Sequence, residues 1–160
     1  MTIYKDLLIL HSEAEYKKVY EEEYCNQEIV THDGILVRFY PERFEHAFFT
    51  SSNRKKADKS IFSTERAQRI RWIRDILLDS SIPVFSGYDK KKKKYDSNRR
   101  VSLVTPDNYV VVIRLNAKKA NTATFVTAFL CDNEEVVEKI KSSPVGSLSD
   151  ICLTKETEIT

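Results

Sequence analysis

Glycine is scarce in this chain: 3 in 160 residues. A phosphate held by backbone amides in a glycine-rich loop is therefore not expected, and neither GxGxxG nor a Walker loop is present. GxSxG and HExxH are missing too, which removes the commonest serine-hydrolase and zinc-protease signatures. Proline is also sparse, at 4 residues, so long linkers are not expected. The three cysteines, Cys25, Cys131 and Cys152, are odd in number, far apart and without CxxC or Cys/His spacing. That argues against a disulfide framework and a zinc site and fits a reduced, cytoplasmic setting. No apolar run approaches the roughly 20 residues of a membrane span. The N-terminus lacks a charged leader and a small-residue cleavage site, so no signal peptide is expected. Neither a metal nor a cofactor is expected.

What remains is a soluble composition, 41% hydrophobic and 31% charged, with length enough for one domain and a real core. Its net charge of +2 conceals a strong segregation. Residues 1–28 carry 3 basic and 7 acidic side chains, and so do residues 131–160. The intervening 29–130 therefore holds a net charge of +10. A basic body between acidic ends suits a polyanion such as nucleic acid, or else solubilises the surface while its halves pair internally.

Along the chain, residues 3–23 read as one or two helices, with His11 inside them. "GILVRFYP" reads as a strand stopped by Pro41, and "ERFEHAFFTSS" as a turn or short helix. "STERAQRIRWIRDILLD" (63–79) reads as one long amphipathic helix capped by Ser63, with Ala67, Ile70, Ile73 and Leu77 at helical spacing. "IPVFSGYD", "RVSLVT", "YVVVIRL" and "ATFVTAFLCD" read as strands, with "PDN" a turn between the middle two. "NEEVVEKIKSS" reads as a helix capped by Asp132 or Asn133 and ended by Pro144. The fold class is α+β: N-terminal helices and one long helix packed on a mainly antiparallel, four- to five-stranded sheet. We expect a single domain over 1–160. Its parts would be a helical segment over 1–28, a core over 30–144, and a tail or edge strand over 145–160.

The long helix holds a contradiction. At roughly 100° per residue, Arg66 and Arg69 project inside the apolar arc. Their stems could snorkel past the core edge, or their guanidiniums could line a cleft and meet an oxyanion. His46, set among Phe44, Ala47, Phe48 and Phe49, is expected to be partly buried, either as a proton-transfer group or as a packed ring bonded to a carbonyl. His11 and His32 read as surface residues. Arg114 shares a strand face with Val110 and Val112, and Thr127 with Phe125 and Phe129. Of Arg99 and Arg100, one must face the side of Val101 and Leu103. The lysine run, with Lys90, Lys92 and Lys94, is bracketed by Tyr88 and Tyr95. It is either a solvated tip or a grip on an RNA backbone with tyrosine stacking on bases. A histidine, several arginines and a hydroxyl without an acidic cluster fit metal-free cleavage of RNA, with attack by the 2′-hydroxyl.

The runs "FEHAFF", "RAQRIRWIRDIL", "RRVSLVTPDNYVVVIRL" and "FVTAF" resemble small phage and prophage proteins of the barnase–EndoU–colicin–RelE superfamily, over roughly residues 30–144. The resemblance implies a compact ribonuclease-like domain, with helices on a four-stranded antiparallel sheet. It also implies a metal-independent endoribonuclease, often a toxin or mobile-element effector. On it, His46 takes the proton-transfer role. Arg66 or Arg69 and Arg99 or Arg100 take the phosphate, and Thr127 hydrogen-bonds it. No second acid–base partner is evident. Expected partners are RNA, such as tRNA or mRNA, and a cognate antitoxin or host protein, with no membrane. The competing class is a non-catalytic inhibitor, immunity-like protein or RNA-binding accessory.

Overall fold

The computed structural model describes residues 6–50, 61–85, 100–116, 119 and 121–142, and the backbone alone of 88–89, 94–95 and 145–146. In chain order the helices are α1 (Glu13–Tyr20), α2 (Arg43–Phe48), α3 (Thr64–Gln68), α4 (Ile70–Leu78) and α5 (Glu134–Lys141), and a π-helical turn, Glu21–Cys25, prolongs α1. The strands are β1 (Ile29–Val30), β2 (Leu36–Arg38), β3 (Phe49–Thr50), β4 (Ile61–Phe62), β5 (Val84–Phe85), β6 (Tyr88–Asp89), β7 (Lys94–Tyr95), β8 (Arg100–Val104), β9 (Tyr109–Leu115), β10 (Thr122–Leu130) and β11 (Val145–Gly146). Seven of them form one sheet in the order β1-β2-β10-β9-β8-β5-β11. All neighbours in it are antiparallel except β2 and β10, which run parallel.

The α+β class therefore stands, with a wider sheet than the four to five strands expected. The additional strands are two-residue pieces, β1 and β11, too short for alternation to reveal, whereas β5 falls within the expected "IPVFSGYD" strand. The long strands β8, β9 and β10 follow from runs of valine, isoleucine, phenylalanine and threonine. Their turn at "TPDN" is built locally. Thr105 bonds the Asp107 carboxylate, its Oγ1 accepts from Tyr109 N at 3.0 Å, and Asn108 takes a φ of 66°. "THDG" repeats the device before β2, with Thr31 Oγ1 donating to Asp33 at 2.5 Å and Gly34 at a φ of 88°. His32 is exposed in that turn.

One sheet face carries the main core. Val37, Ala123, Phe125, Ala128, Ile113, Val111, Val101 and Leu103 meet the aromatic side chains of α1 and α2 and the apolar side of α4. Tyr20 sits at its centre, with Phe39, Phe44, Phe48 and Phe125 rings 5.8–6.4 Å away. On the opposite face a smaller cluster, Phe85, Val104, Val110, Cys131 and Val137, seats α5 over one end of the sheet. Asn133 caps α5, accepting from Glu135 N and Val136 N.

Two helical expectations are corrected. Residues 6–10 are non-helical; they lie against α3 and α4 through Leu8 N to Gln68 O and Trp72 Nε1 to Asp6 O, each 2.8 Å. Helix begins only at Glu13 behind the Ser12 cap, so His11 precedes it. The segment 63–79 is two helices rather than one, interrupted at Arg69, whose ψ of 15° leaves the helical well. Two tyrosine hydroxyls lie at the break and just beyond it. Tyr24 inserts its hydroxyl into the α4 ladder, donating to Ile70 O at 2.5 Å and accepting from Arg74 N at 3.1 Å. The Tyr109 hydroxyl reaches Arg69 O at 3.5 Å. Tyr24→Phe would leave that carbonyl and amide buried without partners. We expect a loss of about 1–3 kcal/mol in urea unfolding, and a loss below a few tenths would mean the ladder closes without the hydroxyl. Among the described residues, no helix is long and apolar enough to cross a membrane.

Candidate nucleic-acid interface

The predicted site residues fall into two groups on different elements. The first lies around α2 and α3. In α2 the helical period turns Phe44, Ala47 and Phe48 inward, and this leaves His46 on the outer face, exposed. The expected partial burial of His46 is thus corrected. Six residues of helix have one buried side, and phenylalanines claim it.

Arg66 does point inward, as its helical phase requires, and is half-buried. Its Nη1 donates to Ala47 O at 3.2 Å, and its guanidinium lies 5.6 Å over the Phe129 ring. Burial pushes that guanidinium below its ordinary pKa, against a smaller upward pull from Tyr109 and the Glu65 carboxylate, and no salt bridge holds it among the described residues. Arg69, at the break, donates to Glu65 O at 2.7 Å and stacks 5.2 Å over Trp72. Its buried Nε has no hydrogen-bond partner among the described residues. Arg71 and Arg74 are exposed, and Arg71 pairs with Glu23 at 3.0 Å. Below the first two arginines lies Tyr109, fully buried, whose hydroxyl is pushed far above its usual pKa by burial.

The second group lies on the sheet face away from the main core. Val126 forms a bulge in β10, and the register shifts between Phe125 and Thr127. Phe125 therefore joins the main core, whereas Thr127 and Phe129 turn to the other face. The expectation that Thr127 shares a face with both phenylalanines holds only for Phe129. Arg114 does share the face of Val110 and Val112, as expected. Arg100 turns away from Val101 and Leu103 to pair in register with Arg114. Thr127, Val112 and Ser102 form the next cross-strand row, all half-buried. The unforeseen members are Thr124, opposite Arg114, and Arg38, opposite Thr124 through the parallel β2–β10 pairing.

Arg66 reaches the strand bearing Thr127 through the Phe129 ring, two residues on. No hydrogen bond or ion pair joins His46 to Arg66, Arg100, Arg114 or Thr127 among the described residues. Lys90, Lys92 and Arg99 lie outside the described residues, as do the side chains of Lys94 and Tyr95; the backbones of β6 and β7 pair Tyr88 with Tyr95. Among the described residues, no three His, Cys, Asp or Glu side chains gather as metal ligands would.

Set beside protein-family models, curated proteins and solved structures, the chain finds no match in any of the three comparisons.

Proposed function

We propose that this protein binds RNA on the open face of its sheet. The observation that carries the reading is the adjacency of Arg100 and Arg114 in one cross-strand pair, both exposed and, among the described residues, without an acidic partner. Two guanidiniums about 5 Å apart at the backbone repel each other unless an anion lies between them. The hydroxyls of Ser102 and Thr127 lie one row further on, able to donate to phosphate or ribose oxygens. α5 covers the far end of the same face and exposes Glu134, Glu135 and Glu138, so charge directs an anionic chain toward the arginine end.

A second reading, cleavage of that RNA without a metal, is favoured by one contact. Arg66 holds Ala47 O in α2, one residue from His46. A phosphate reaching the Arg66 guanidinium would therefore pass near a group able to move protons.

One assay addresses both. Labelled single-stranded RNA is incubated with the protein in EDTA, and complex and products are separated on native and denaturing gels. Arg100→Glu with Arg114→Glu is expected to weaken binding at least tenfold by reversing both charges, and unchanged binding would overturn the interface. Cleavage would show as 2′,3′-cyclic phosphate ends absent with His46→Ala. Full activity of His46→Ala would remove that residue from the mechanism.

A further inference from the structure

The pairing register extends the arginine pair into a line. Arg100 in β8 faces Arg114 in β9, Arg114 faces Thr124 in β10, and Thr124 faces Arg38 in β2. Val37 and Phe125 belong to the main core, so Arg38 and Thr124, each one residue away, turn to the opposite face with Arg114. All three arginines are exposed, Thr124 is half-buried, and none of the three is ion-paired among the described residues. The line crosses three strand spacings, about 14 Å at the backbone, perpendicular to the strands.

Hydroxyl and apolar groups flank it on both sides. Thr127, Val112 and Ser102 lie on the α5 side. On the other side are Leu36, half-buried, and Val30, 43% exposed on the outermost strand, with Thr122 buried beside them and its hydroxyl donated to Lys119 O. Exposed valine on an edge strand beside a cation line offers an apolar floor next to a phosphate track.

We infer that the ligand is one strand of RNA laid across the sheet, its phosphates following Arg38, Thr124, Arg114 and Arg100 and its bases resting on the flanking rows. This rests on the RNA-binding reading and adds a direction, a footprint of about three phosphates and a preference. A single straight row of cations neutralises one backbone at a time. A duplex presents two backbones and hides its bases, and the narrow major groove of A-form RNA does not admit a flat sheet. Single strands expose bases to the flanking rows.

The test uses the full chain and fluorescein-labelled 2′-O-methyl oligouridylate of about a dozen nucleotides, which cannot be cleaved by its own 2′-oxygen. Anisotropy is followed across a potassium chloride series, beside the duplex with its 2′-O-methyl oligoadenylate complement. The expected result is binding at least about tenfold tighter to the single strand, with log K falling against log salt at a slope of about 2. Arg38→Ala and Arg114→Ala should each lower that slope by about 0.7, and Arg71→Ala, on the helical side, should not. All three are exposed positions, and matching circular dichroism melts confirm that each variant is folded.

Binding with slopes unchanged by Arg38→Ala and Arg114→Ala overturns the line while leaving the RNA reading intact. Equal or tighter binding of the duplex overturns the single-strand preference. Failure to bind either RNA, or capture of polyglutamate in their place, overturns both the line and the reading beneath it.

Discussion

Phe125→Ala is expected to cost about 3–5 kcal/mol, a large part of the stability of a domain this size. Phe125 has no exposed surface and stands in β10, beside the middle of the sheet. Its ring stacks on Phe39 with centroids 4.8 Å apart and planes 24° from parallel, and Tyr20 lies 6.4 Å away. Phe39 just follows β2, Tyr20 ends α1 and Phe125 stands in β10, so truncation opens a hole no single side chain can close. The loss should lower the melting temperature by about 10 °C, at about 2–4 °C per kcal/mol for a chain of this length. Phe125→Leu keeps most of the volume and should cost less than half as much. Phe129→Ala, on the other face and half-buried, should cost clearly less than Phe125→Ala. Equal losses at Phe125 and Phe129 would mean the two faces contribute alike, contrary to the arrangement around Tyr20.

The phenylalanine pair also marks where sequence reading succeeds and where it stops. Alternation located β8, β9 and β10 because long, β-branched strands carry their own period. The cap at Ser63 is legible, and that of α5 to within Asp132 or Asn133, because capping is local chemistry within three residues. Phe125 and Phe129 look equivalent in "FVTAF", an even number of residues apart. Only the bulge at Val126 separates them, and a bulge depends on the partner strand. The break at Arg69 has the same character, since one hydroxyl that disturbs α4 belongs to Tyr24, 46 residues before Ile70. Arg38 carries no local signal for a further reason. Its place beside Thr124 comes from a parallel pairing of strands some 80 residues apart, and no local signal encodes register at that distance. His46 differs. The spacing of Phe44, Ala47 and Phe48 already assigned the inner side of α2, which left the histidine outward.

Arg66→Met should separate folding from phosphate chemistry. The arginine is half-buried, desolvated and, among the described residues, paired with no carboxylate. A cation in that position is costly to fold around, and here it is offset by Ala47 O at 3.2 Å and the face of Phe129 at 5.6 Å. Methionine keeps the length and apolar contact of the stem and removes the charge, so stability should change by less than about 1.5 kcal/mol in either direction. On the cleavage reading the functional cost is far larger. Removing one preorganised group that stabilises developing oxyanion charge lowers rates by about 10²–10³. Arg66→Lys should recover only part of that loss, because an ammonium keeps the charge but not the planar fork. Thermal melts beside cleavage in EDTA read the two effects separately. Stable Arg66→Met with full cleavage would assign the guanidinium to packing alone. Arg66→Met that unfolds would make the Ala47 contact structural, the link that ties α3 to the end of α2. A folded, inactive Arg66→Met beside a folded, inactive His46→Ala would place the chemistry at the rim of β10, where Arg66 reaches over Phe129.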